Sequence, residues 1–404
     1  MTLGCRNADT ISGLRTGGVR FDSGSALTRA AVLMLAALVA AAVVGCSNGS
    51  STASDAVPVT PASTASGAVP TTPAPTAAGS ARHVSGFIAT GPTTVRYDAT
   101  ATRLSDGRVL IAGGCCNGSV ALATAELYDP KTGTFSPTGS TATARQRHAA
   151  TLLADGRVLI VGGAADASAE LYNPQTGSFS RTGDMTIVRG AVIATLLADG
   201  RVLVIGGTGD PSAELYDPNT GTFSAAGSMK TVRYGATATL LADGRVLVVG
   251  GSGDISAELY DPRTGSFAKT GDITIALAGQ TATLLPDGRV LIAGGRVLGL
   301  GDLPSAELYD PKTGSFGPTG PMTVSRYLAT ATLLKDGRVL VVGGLANLGS
   351  SELYDPKTGT FSQGGYLTIG RSSHTATLLN DGRVLIAGGN GASGSTVAAE
   401  LYQP

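Results

Sequence analysis

Hydrophobic and polar positions follow one pattern that returns seven times along the chain. Each copy starts with alternating small and β-branched residues, followed by an Asp-Gly-Arg triplet, four apolar residues and a Gly-Gly pair directly after them. After a loop of variable length come Glu-Leu-Tyr, in most copies an Asp-Pro-x-Thr-Gly turn, and a segment that opens with phenylalanine. Short alternating or apolar runs bounded by Gly, Pro and Asp are typical of strands, and Asp-Gly favours a tight hairpin turn. Each copy therefore predicts four short antiparallel strands.

The spacing of the copies predicts how these strands are assembled. The Asp-Gly-Arg triplets begin at Asp106, Asp155, Asp199, Asp243, Asp287, Asp336 and Asp381. They lie 49, 44, 44, 44, 49 and 45 residues apart, which is a period typical of four-stranded propeller blades. A residue that is present in every copy cannot single out one site, so the repeats describe the scaffold and their irregular positions describe the candidate site.

The motifs inside each copy resemble the kelch repeat, because Gly-Gly, Glu-Leu-Tyr-Asp-Pro and Thr-Gly-x-Phe follow one another in that order. Tryptophan–aspartate propellers have a similar period, but this chain contains no tryptophan. The resemblance extends from Phe87 to Tyr402. It implies an all-β, seven-bladed β-propeller with a ligand surface beside the mouth of the central channel.

The two ends of the repeat region predict how the ring closes. The seventh copy stops after Tyr402, Gln403 and Pro404, before its fourth strand. The segment from Phe87 to Gly91 matches the fourth strand of the other copies. We therefore expect the first strand of the domain to complete the last blade.

Composition divides the chain into three predicted regions: 1–45, 46–82 and 83–404. In the first, arginines precede an apolar run from Ala30 to Val44, which is too short for a typical membrane span and typical of a signal-peptide core. The run ends in Val-Val-Gly-Cys46, which resembles the lipobox of bacterial lipoproteins and implies that Cys46 carries a lipid anchor. The alternatives are an ordinary secretory cleavage site or a short buried anchor. Residues 46–82, rich in Ser, Thr, Ala and Pro, predict a disordered tether to the propeller of 83–404.

Charge limits the class of partner. The chain has 29 basic and 29 acidic residues, and its repeats contain no basic cluster, which argues against nucleic acid. The sequence predicts an exported monomer that is anchored to a bacterial membrane by lipid, at the cell surface or in the periplasm. Its expected partner is a protein or polysaccharide of the cell envelope.

Strand order predicts two unequal ends of the propeller. The Asp-Gly-Arg and Asp-Pro-x-Thr-Gly turns share one end, which we call the uniform face. The loops between the second and third strands emerge at the other end, the rim, together with the links between blades. From the second glycine to the glutamate these loops span 12, 7, 7, 7, 12, 8 and 11 positions. All variation in loop length is therefore expected on the rim.

An arginine occupies the start of the innermost strand in six blades, and Leu277 replaces it in blade five. These residues are Arg96, Arg145, Arg189, Arg233, Arg326 and Arg371. One interpretation is a ligand-binding ring on the rim. The favoured alternative is that they pair with the repeated glutamates, Glu126 through Glu400, or cap carbonyl groups between blades, since buried charges are usually paired. The same structural interpretation applies to the seven Asp-Gly-Arg arginines, Arg108 through Arg383.

The irregular positions are the better candidates for ligand binding. Tyrosine next to arginine is typical of contact hot spots. The blade-five loop adds an apolar insertion, which either packs over the channel or contacts a partner. The candidate residues are Tyr97, Arg147, Tyr234, Tyr327, Arg296, Leu298, Leu300 and Asp302. Asp166, Asp210 and Asp254 recur in the short loops and are interpreted as turn formers rather than metal ligands.

Candidate catalytic chemistry is sparse. His148 and His374 share one position of the innermost strand, where packing is the favoured interpretation, and His83 lies at the edge of the tether. Cys115 and Cys116 are adjacent and either form a strained disulfide or stay reduced.

Galactose oxidase, a copper radical enzyme, has a similar seven-bladed kelch scaffold, but the copper ligand set that this resemblance implies cannot be assembled from these residues. We predict no catalytic residues, metal or cofactor. The favoured hypothesis is a non-catalytic binding lipoprotein, and the alternative is an exported oxidase or polysaccharide lyase with its site at the channel mouth.

Overall fold

The computed structural model describes residues 86–404 except 117–119, 208, 252, 345–348 and 393. The predicted signal peptide, Cys46 and the tether lie outside the described residues. Across the described part of the chain, no helix is long and apolar enough to cross a membrane.

In the described part of the chain, thirty-two strands, β1 to β32, form seven four-stranded antiparallel sheets and two small hairpins. The first strand along the chain is β1 Gly86–Ala89. Blade one contains β2 Thr100–Arg103, β3 Val109–Ala112, β4 Ala125–Asp129 and β5 Thr134–Pro137. Blade two contains β6 Ala149–Leu152, β7 Val158–Val161, β8 Ala169–Asn173 and β9 Ser178–Arg181. Blade three contains β10 Val192–Leu196, β11 Val202–Gly206, β12 Ser212–Asp217 and β13 Thr222–Ser228.

The other blades repeat this order, and two of them carry an added hairpin. Blade four contains β14 Thr237–Leu240, β15 Val246–Val249, β16 Ser256–Asp261 and β17 Ser266–Asp272. Blade five contains β18 Thr281–Leu284, β19 Val290–Ala293, the hairpin β20 Arg296–Val297 and β21 Gly301–Asp302, then β22 Ala306–Asp310 and β23 Ser315–Pro318. Blade six contains β24 Thr330–Leu333, β25 Val339–Val342, β26 Ser350–Asp355 and β27 Thr360–Tyr366. Blade seven contains β28 Thr375–Leu378, β29 Val384–Ala387, the hairpin β30 Asn390–Gly391 and β31 Gly394–Ser395, and β32 Ala399–Gln403.

The innermost strands contact one another in ring order, β2 with β6 and so on, and β28 contacts β2 again. The predicted all-β, seven-bladed propeller is therefore confirmed. In blade seven the outer strand is β1, which pairs antiparallel with β32 so that Phe87 lies opposite Tyr402. Their rings are 5.1 Å apart, close to the 4.8 to 4.9 Å of the other six Tyr–Phe pairs. This pairing is compatible with the predicted closure by the N-terminal strand.

The core is divided into seven apolar clusters that lie between neighbouring blades. The second strand of each blade is buried along its whole length, because both of its faces meet another blade. Between blades seven and one, for example, Leu379 and Leu385 pack with Val109 and Ile111. The propeller therefore has no single central core, and the stability of each blade depends on its packing against its two neighbours.

A threonine of the outer strand holds the next blade's tyrosine in five places. The threonine hydroxyl is 2.8 to 3.0 Å from the tyrosine hydroxyl and also donates to a glycine carbonyl, as Thr138 does to Gly177. Ala226 replaces the threonine beside Tyr260, and Gly364 replaces it beside Tyr402. Both of these tyrosine hydroxyls are buried without a hydrogen-bond partner within the described residues.

This difference predicts that Ala226→Thr stabilises the propeller. The new hydroxyl supplies the missing partner of Tyr260, so we expect the free energy of unfolding to rise by about 1 kcal/mol. Urea denaturation followed by circular dichroism measures it. Ala226→Val is the matched control, because valine has the same shape without the hydroxyl. An equal gain from both variants would show that the hydrogen bond is not the cause.

Candidate functional site

The six arginines of the innermost strands lie inside the blades. Their side chains are 0 to 1% exposed, and each lies 2.7 to 3.6 Å from the glutamate of its own blade. The pairs are Arg96–Glu126, Arg145–Glu170, Arg189–Glu214, Arg233–Glu258, Arg326–Glu352 and Arg371–Glu400. Each guanidinium also donates to the carbonyl of the first glycine of Gly-Gly. The predicted pairing with the repeated glutamates is confirmed, and burial places these six guanidinium groups inside the blades rather than on the surface of the rim.

The seven Asp-Gly-Arg arginines are also paired, but with a different partner from the predicted glutamate. Each lies 2.6 to 2.7 Å from the aspartate of its own turn. Some of them also reach the next blade, since Arg383 donates to the Pro130 carbonyl at 3.2 Å. These arginines link blades on the uniform face.

The uniform face is not flat. Clefts of about 420 to 600 Å³ lie between neighbouring Asp-Gly-Arg turns, including one lined by Arg108, Lys131 and Asp381. The Asp-Gly-Arg carboxylates of these clefts are already paired with arginine, and arginine pairing holds the pKa of Asp106 and Asp381 below its usual value even though their partial burial opposes this. The same residue types recur from cleft to cleft, so none of the clefts stands out as a single site.

On the rim, the second residue after each of these arginines, or after Leu277, has a left-handed backbone. Asp98, Arg147, Ala191, Leu328 and Ser373 have φ values of 51 to 56°, and Gly235 and Gly279 occupy the position in the other two blades. These five are all of the non-glycine residues with positive φ in the described chain. The left-handed region costs such residues about 1 to 2 kcal/mol each, and strain of this kind concentrates at functional sites.

Backbone hydrogen bonds join these residues from blade to blade. The amide of Arg147 donates to the Asp98 carbonyl at 3.0 Å, and the amide of Asp98 donates to the Ser373 carbonyl at 3.1 Å. Ser373, Leu328 and Gly279 continue the series in the same direction, with distances of 2.9 to 3.3 Å. The series therefore lies at the mouth of the central channel, next to the innermost strands.

Side chains that are not repeated from blade to blade lie along this series. Arg147 is exposed and donates to the Asp98 carboxylate at 2.8 Å. The guanidinium of Arg296 lies 4.5 Å from the centre of the Tyr327 ring and donates to Asp302 at 2.6 Å. The Tyr327 ring lies over Gly279, where a Cβ atom would be 2.2 Å from it.

We call this region the mouth surface: Tyr97, Asp98, Arg147, Tyr327 and the hairpin 296–302. The base of the hairpin packs down, since Val297 joins the apolar cluster of blades four and five. Its tip does not, because Leu298 and Leu300 are 55% and 79% exposed. Both predicted alternatives for this insertion thus apply, each to a different part of it. Tyr234, which follows the innermost-strand arginine of blade four as Tyr97 and Tyr327 do in blades one and six, is exposed.

The long loops lie beside the mouth surface, as their position on the rim predicts. Isolated bridges tie Tyr97 to Cys115, Ala278 to Arg296 and Ser372 to Asn390, each within one blade. Cys115 and Cys116 are free thiols, so the reduced alternative is the one observed. Burial raises the pKa of the Cys115 thiol, which keeps it protonated and unreactive near neutral pH.

The remaining polar candidates have structural roles. Asp166, Asp210 and Asp254 each accept the backbone N–H of the serine two residues later, which confirms them as turn formers. His148 and His374 are buried, and their Nε2 atoms lie 2.8 and 2.9 Å from the hydroxyls of Thr100 and Thr330. Burial and the neighbouring arginine lower the pKa of each histidine to about 3. Packing between blades is therefore their role in this structure.

Comparison with known proteins identifies the fold. Residues 100–140 match the Kelch motif. A solved structure, a fungal alcohol oxidase with catalytic diversity among the AA5 family, in complex with copper, superposes with a TM-score of 0.69 at 20% sequence identity. The match covers 80% of this chain and 76% of that chain. No curated protein matches the sequence. The resemblance to kelch propellers and to the galactose oxidase-like scaffold is confirmed as a likeness of fold.

The copper in that oxidase raises the question whether the mouth surface fits such an ion. Among the residues that the structure describes, no group of three or more His, Cys, Asp or Glu side chains is placed to hold a metal. Both described imidazoles are buried between blades, and Asp98 is bound to Arg147. Copper of this kind needs convergent imidazoles together with tyrosines, and the mouth surface has tyrosines but no imidazole among the described residues, so this donor set does not fit it.

Proposed function

Because the chain folds as a seven-bladed β-propeller that carries a Kelch motif, we propose that it is a non-catalytic binding module. Its mouth surface would recognise a protein or a polysaccharide of the cell envelope. The observation that carries this proposal is the strained series at the channel mouth. It is the one place where left-handed non-glycine residues gather in the described chain, and their side chains differ from blade to blade.

The chemistry of the mouth surface suits a ligand held by stacking and hydrogen bonds. Two arginines, two tyrosines and two aspartates are present, and each arginine is balanced by an aspartate at 2.6 to 2.8 Å. Tyrosine and arginine dominate contact hot spots because they combine a large apolar area with hydrogen bonding. Since the charges are balanced, we expect neutral polymers or polar protein surfaces rather than polyanions to bind.

The location of the protein is part of the same proposal and is supported by the sequence alone. A lipid on Cys46 would hold the propeller at a bacterial membrane, on the cell surface or facing the periplasm. A single lipid chain binds membranes reversibly, so stable anchoring requires the multiple acylation that lipoproteins of this type carry. The tether would then set the distance between membrane and propeller.

The alternative is an exported oxidase or polysaccharide lyase, which the likeness to the copper oxidase supports only through the fold. Fold and function are separable, because one scaffold serves many sites. Metal analysis of the purified protein distinguishes the two hypotheses. Stoichiometric copper would overturn the binding-module proposal.

Arg147→Ala and Tyr327→Ala test the binding surface. We expect each to weaken binding at least tenfold, the change that corresponds to about 1.4 kcal/mol, because hot-spot residues commonly exceed this value. Polysaccharide and protein fractions of bacterial envelopes, immobilised separately, serve as probes in surface plasmon resonance. Lys357→Ala, in a cleft of the uniform face, is the control and should leave binding unchanged. Equal losses from all three variants would exclude a specific role of the mouth surface.

A further inference from the structure

Six blades hold a guanidinium group with the same set of acceptors. In blade four, for example, Arg233 donates to the Gly250 carbonyl at 3.0 Å, to the Ser256 hydroxyl at 2.8 Å and to Glu258 at 3.1 Å. The set is a glycine carbonyl, a group of the residue two positions before the glutamate, and the glutamate carboxylate. Its spacing suits the planar fork of a guanidinium group, which matches carboxylate and carbonyl oxygens with fixed geometry.

Blade five keeps these acceptors but has lost the arginine. Gly294, Ser305 and Glu307 occupy the three positions, and Leu277 stands in the place of the arginine. The Ser305 hydroxyl is buried with no hydrogen-bond partner among the described residues. Within that same part of the chain, the Glu307 carboxylate accepts only the backbone N–H of Thr274, at 3.0 and 3.2 Å from its two oxygens. We call Gly294, Ser305 and Glu307 the blade-five acceptor site.

Leu277 cannot supply the hydrogen-bond donors and the positive charge that the arginines supply in the other blades. Leu277 is 3% exposed and packs with the apolar cluster of blades four and five. It has no donor, and a buried carboxylate without a cationic partner is costly. The glutamates of blades two, three, four, six and seven are 1 to 2% exposed, whereas Glu307 is 9% exposed and Glu126 of blade one is 8% exposed. Solvent therefore reaches the blade-five carboxylate more readily than the carboxylates of five of the six filled sites.

We propose that the blade-five acceptor site binds a guanidinium group from outside the chain, which takes the place of the missing arginine. The ligand class is a monovalent guanidinium compound, free or presented as an arginine side chain of a peptide. One carboxylate balances one positive charge. A Ca²⁺ or Mg²⁺ ion, in contrast, is coordinated by about 6 or more oxygen atoms. This inference goes beyond the proposed rim function and does not depend on it, because it concerns a different set of residues.

The test measures the thermal stability of the full chain with increasing methylguanidinium chloride, at constant ionic strength and low millimolar concentration. A ligand that binds only the folded state raises Tm, and we expect a saturable rise of about 2 °C. Urea, which is planar but uncharged, should give no saturable rise. Leu277→Arg should abolish the response, because the chain then fills the site itself. Glu307→Gln should abolish it as well, and it keeps the test valid if the arginine variant does not fold.

A second arm identifies the source of the guanidinium group. An acetylated, amidated tripeptide with a central arginine replaces methylguanidinium in the same titration. A saturable rise with both probes supports the proposal and assigns the site to an arginine side chain. A rise with methylguanidinium alone supports it and assigns the site to a small free cation. The proposal is overturned if neither probe raises Tm, or if Leu277→Arg and Glu307→Gln respond as the unaltered chain does.

Discussion

Acidification from pH 6.5 to 4.5 is expected to lower the free energy of unfolding by about 5 kcal/mol, through His148 and His374. The pKa of each imidazole is lowered to about 3 in the fold, with burial as the main cause and a neighbouring arginine as the second. An unfolded histidine titrates near 6.5. Between these values the unfolded chain binds a proton that the folded protein rejects, so each histidine weakens the fold by about 1.4 kcal/mol per pH unit.

The direction follows from which state binds the proton. Above about pH 6.5 both states carry neutral histidine, and its favourable contribution to the fold is complete. As the pH falls toward 3, protonation draws the chain to the unfolded state and this contribution is lost. The paired aspartates have pKa values below their usual range, so their contribution is lost at lower pH than this window. Urea denaturation at stepped pH values, followed by circular dichroism, measures the slope, since the chain has no tryptophan to report by fluorescence.

Blade five provides the control for this prediction. Gln280 stands where blades two and seven have histidine, and it donates to the Val249 carbonyl at 2.8 Å. The double variant His148→Gln, His374→Gln should therefore fold at pH 7 and lose most of the dependence on pH between 6.5 and 4.5. An unchanged slope in the double variant would assign the dependence to other groups.

Arg145→Leu is expected to lower the free energy of unfolding by about 3 to 5 kcal/mol. The Arg145 side chain is 0% exposed and donates to Glu170 at 3.0 Å, to the Ser168 carbonyl at 2.9 Å and to the Gly162 carbonyl at 3.1 Å. Its loss leaves the Glu170 carboxylate buried without its cation, and removal of one partner of a buried ion pair has an effect of this size. Equilibrium denaturation at pH 7 gives the value.

The second substitution separates the charge from the packing. In Arg145→Leu, Glu170→Gln the unpaired charge is gone, so we expect part of the lost stability to return. Leu277 with Glu307 is tolerated in blade five because that carboxylate is more exposed than Glu170. A loss below about 1 kcal/mol in the single variant would mean that the pair contributes little to the fold, as surface pairs do.

The repeat made the fold predictable. The number of strands, the number of blades and the position of the turns follow from a sequence pattern that is repeated seven times. The separation of the turns and the loops to opposite ends of the propeller follows from the antiparallel strand order. The pairing of the innermost arginines followed from the cost of burying unpaired charge. For the Asp-Gly-Arg arginines, the predicted glutamate partner was wrong, because each pairs with the aspartate two residues earlier in its own turn. The predicted alternative, contact with carbonyl groups between blades, is confirmed for Arg108, Arg201 and Arg383.

The candidate site was less predictable. Asp98 was missed, because the Arg, Ala, Leu and Ser residues at the same position of other blades do not favour a left-handed backbone, although Asp does. One signal was present: the second residue after the arginine differs in almost every blade, while the residues four to six positions after the arginine are nearly constant. The stacking of Arg296 on Tyr327 joins blades five and six, and the Arg147–Asp98 pair joins blades two and one. Contacts between blades at the channel mouth depend on how the blades are arranged in the closed ring. The sequence pattern of a single blade does not determine this arrangement.

Hydrogen–deuterium exchange of the propeller with and without a bound envelope ligand tests most directly whether the rim is the binding end. We predict slower exchange in the segments around Tyr97 and Asp98, Arg147, Arg296 to Asp302, and Tyr327. The Asp-Gly-Arg turns should exchange at the same rate with and without ligand. Protection of those turns, with an unchanged channel mouth, would contradict the account.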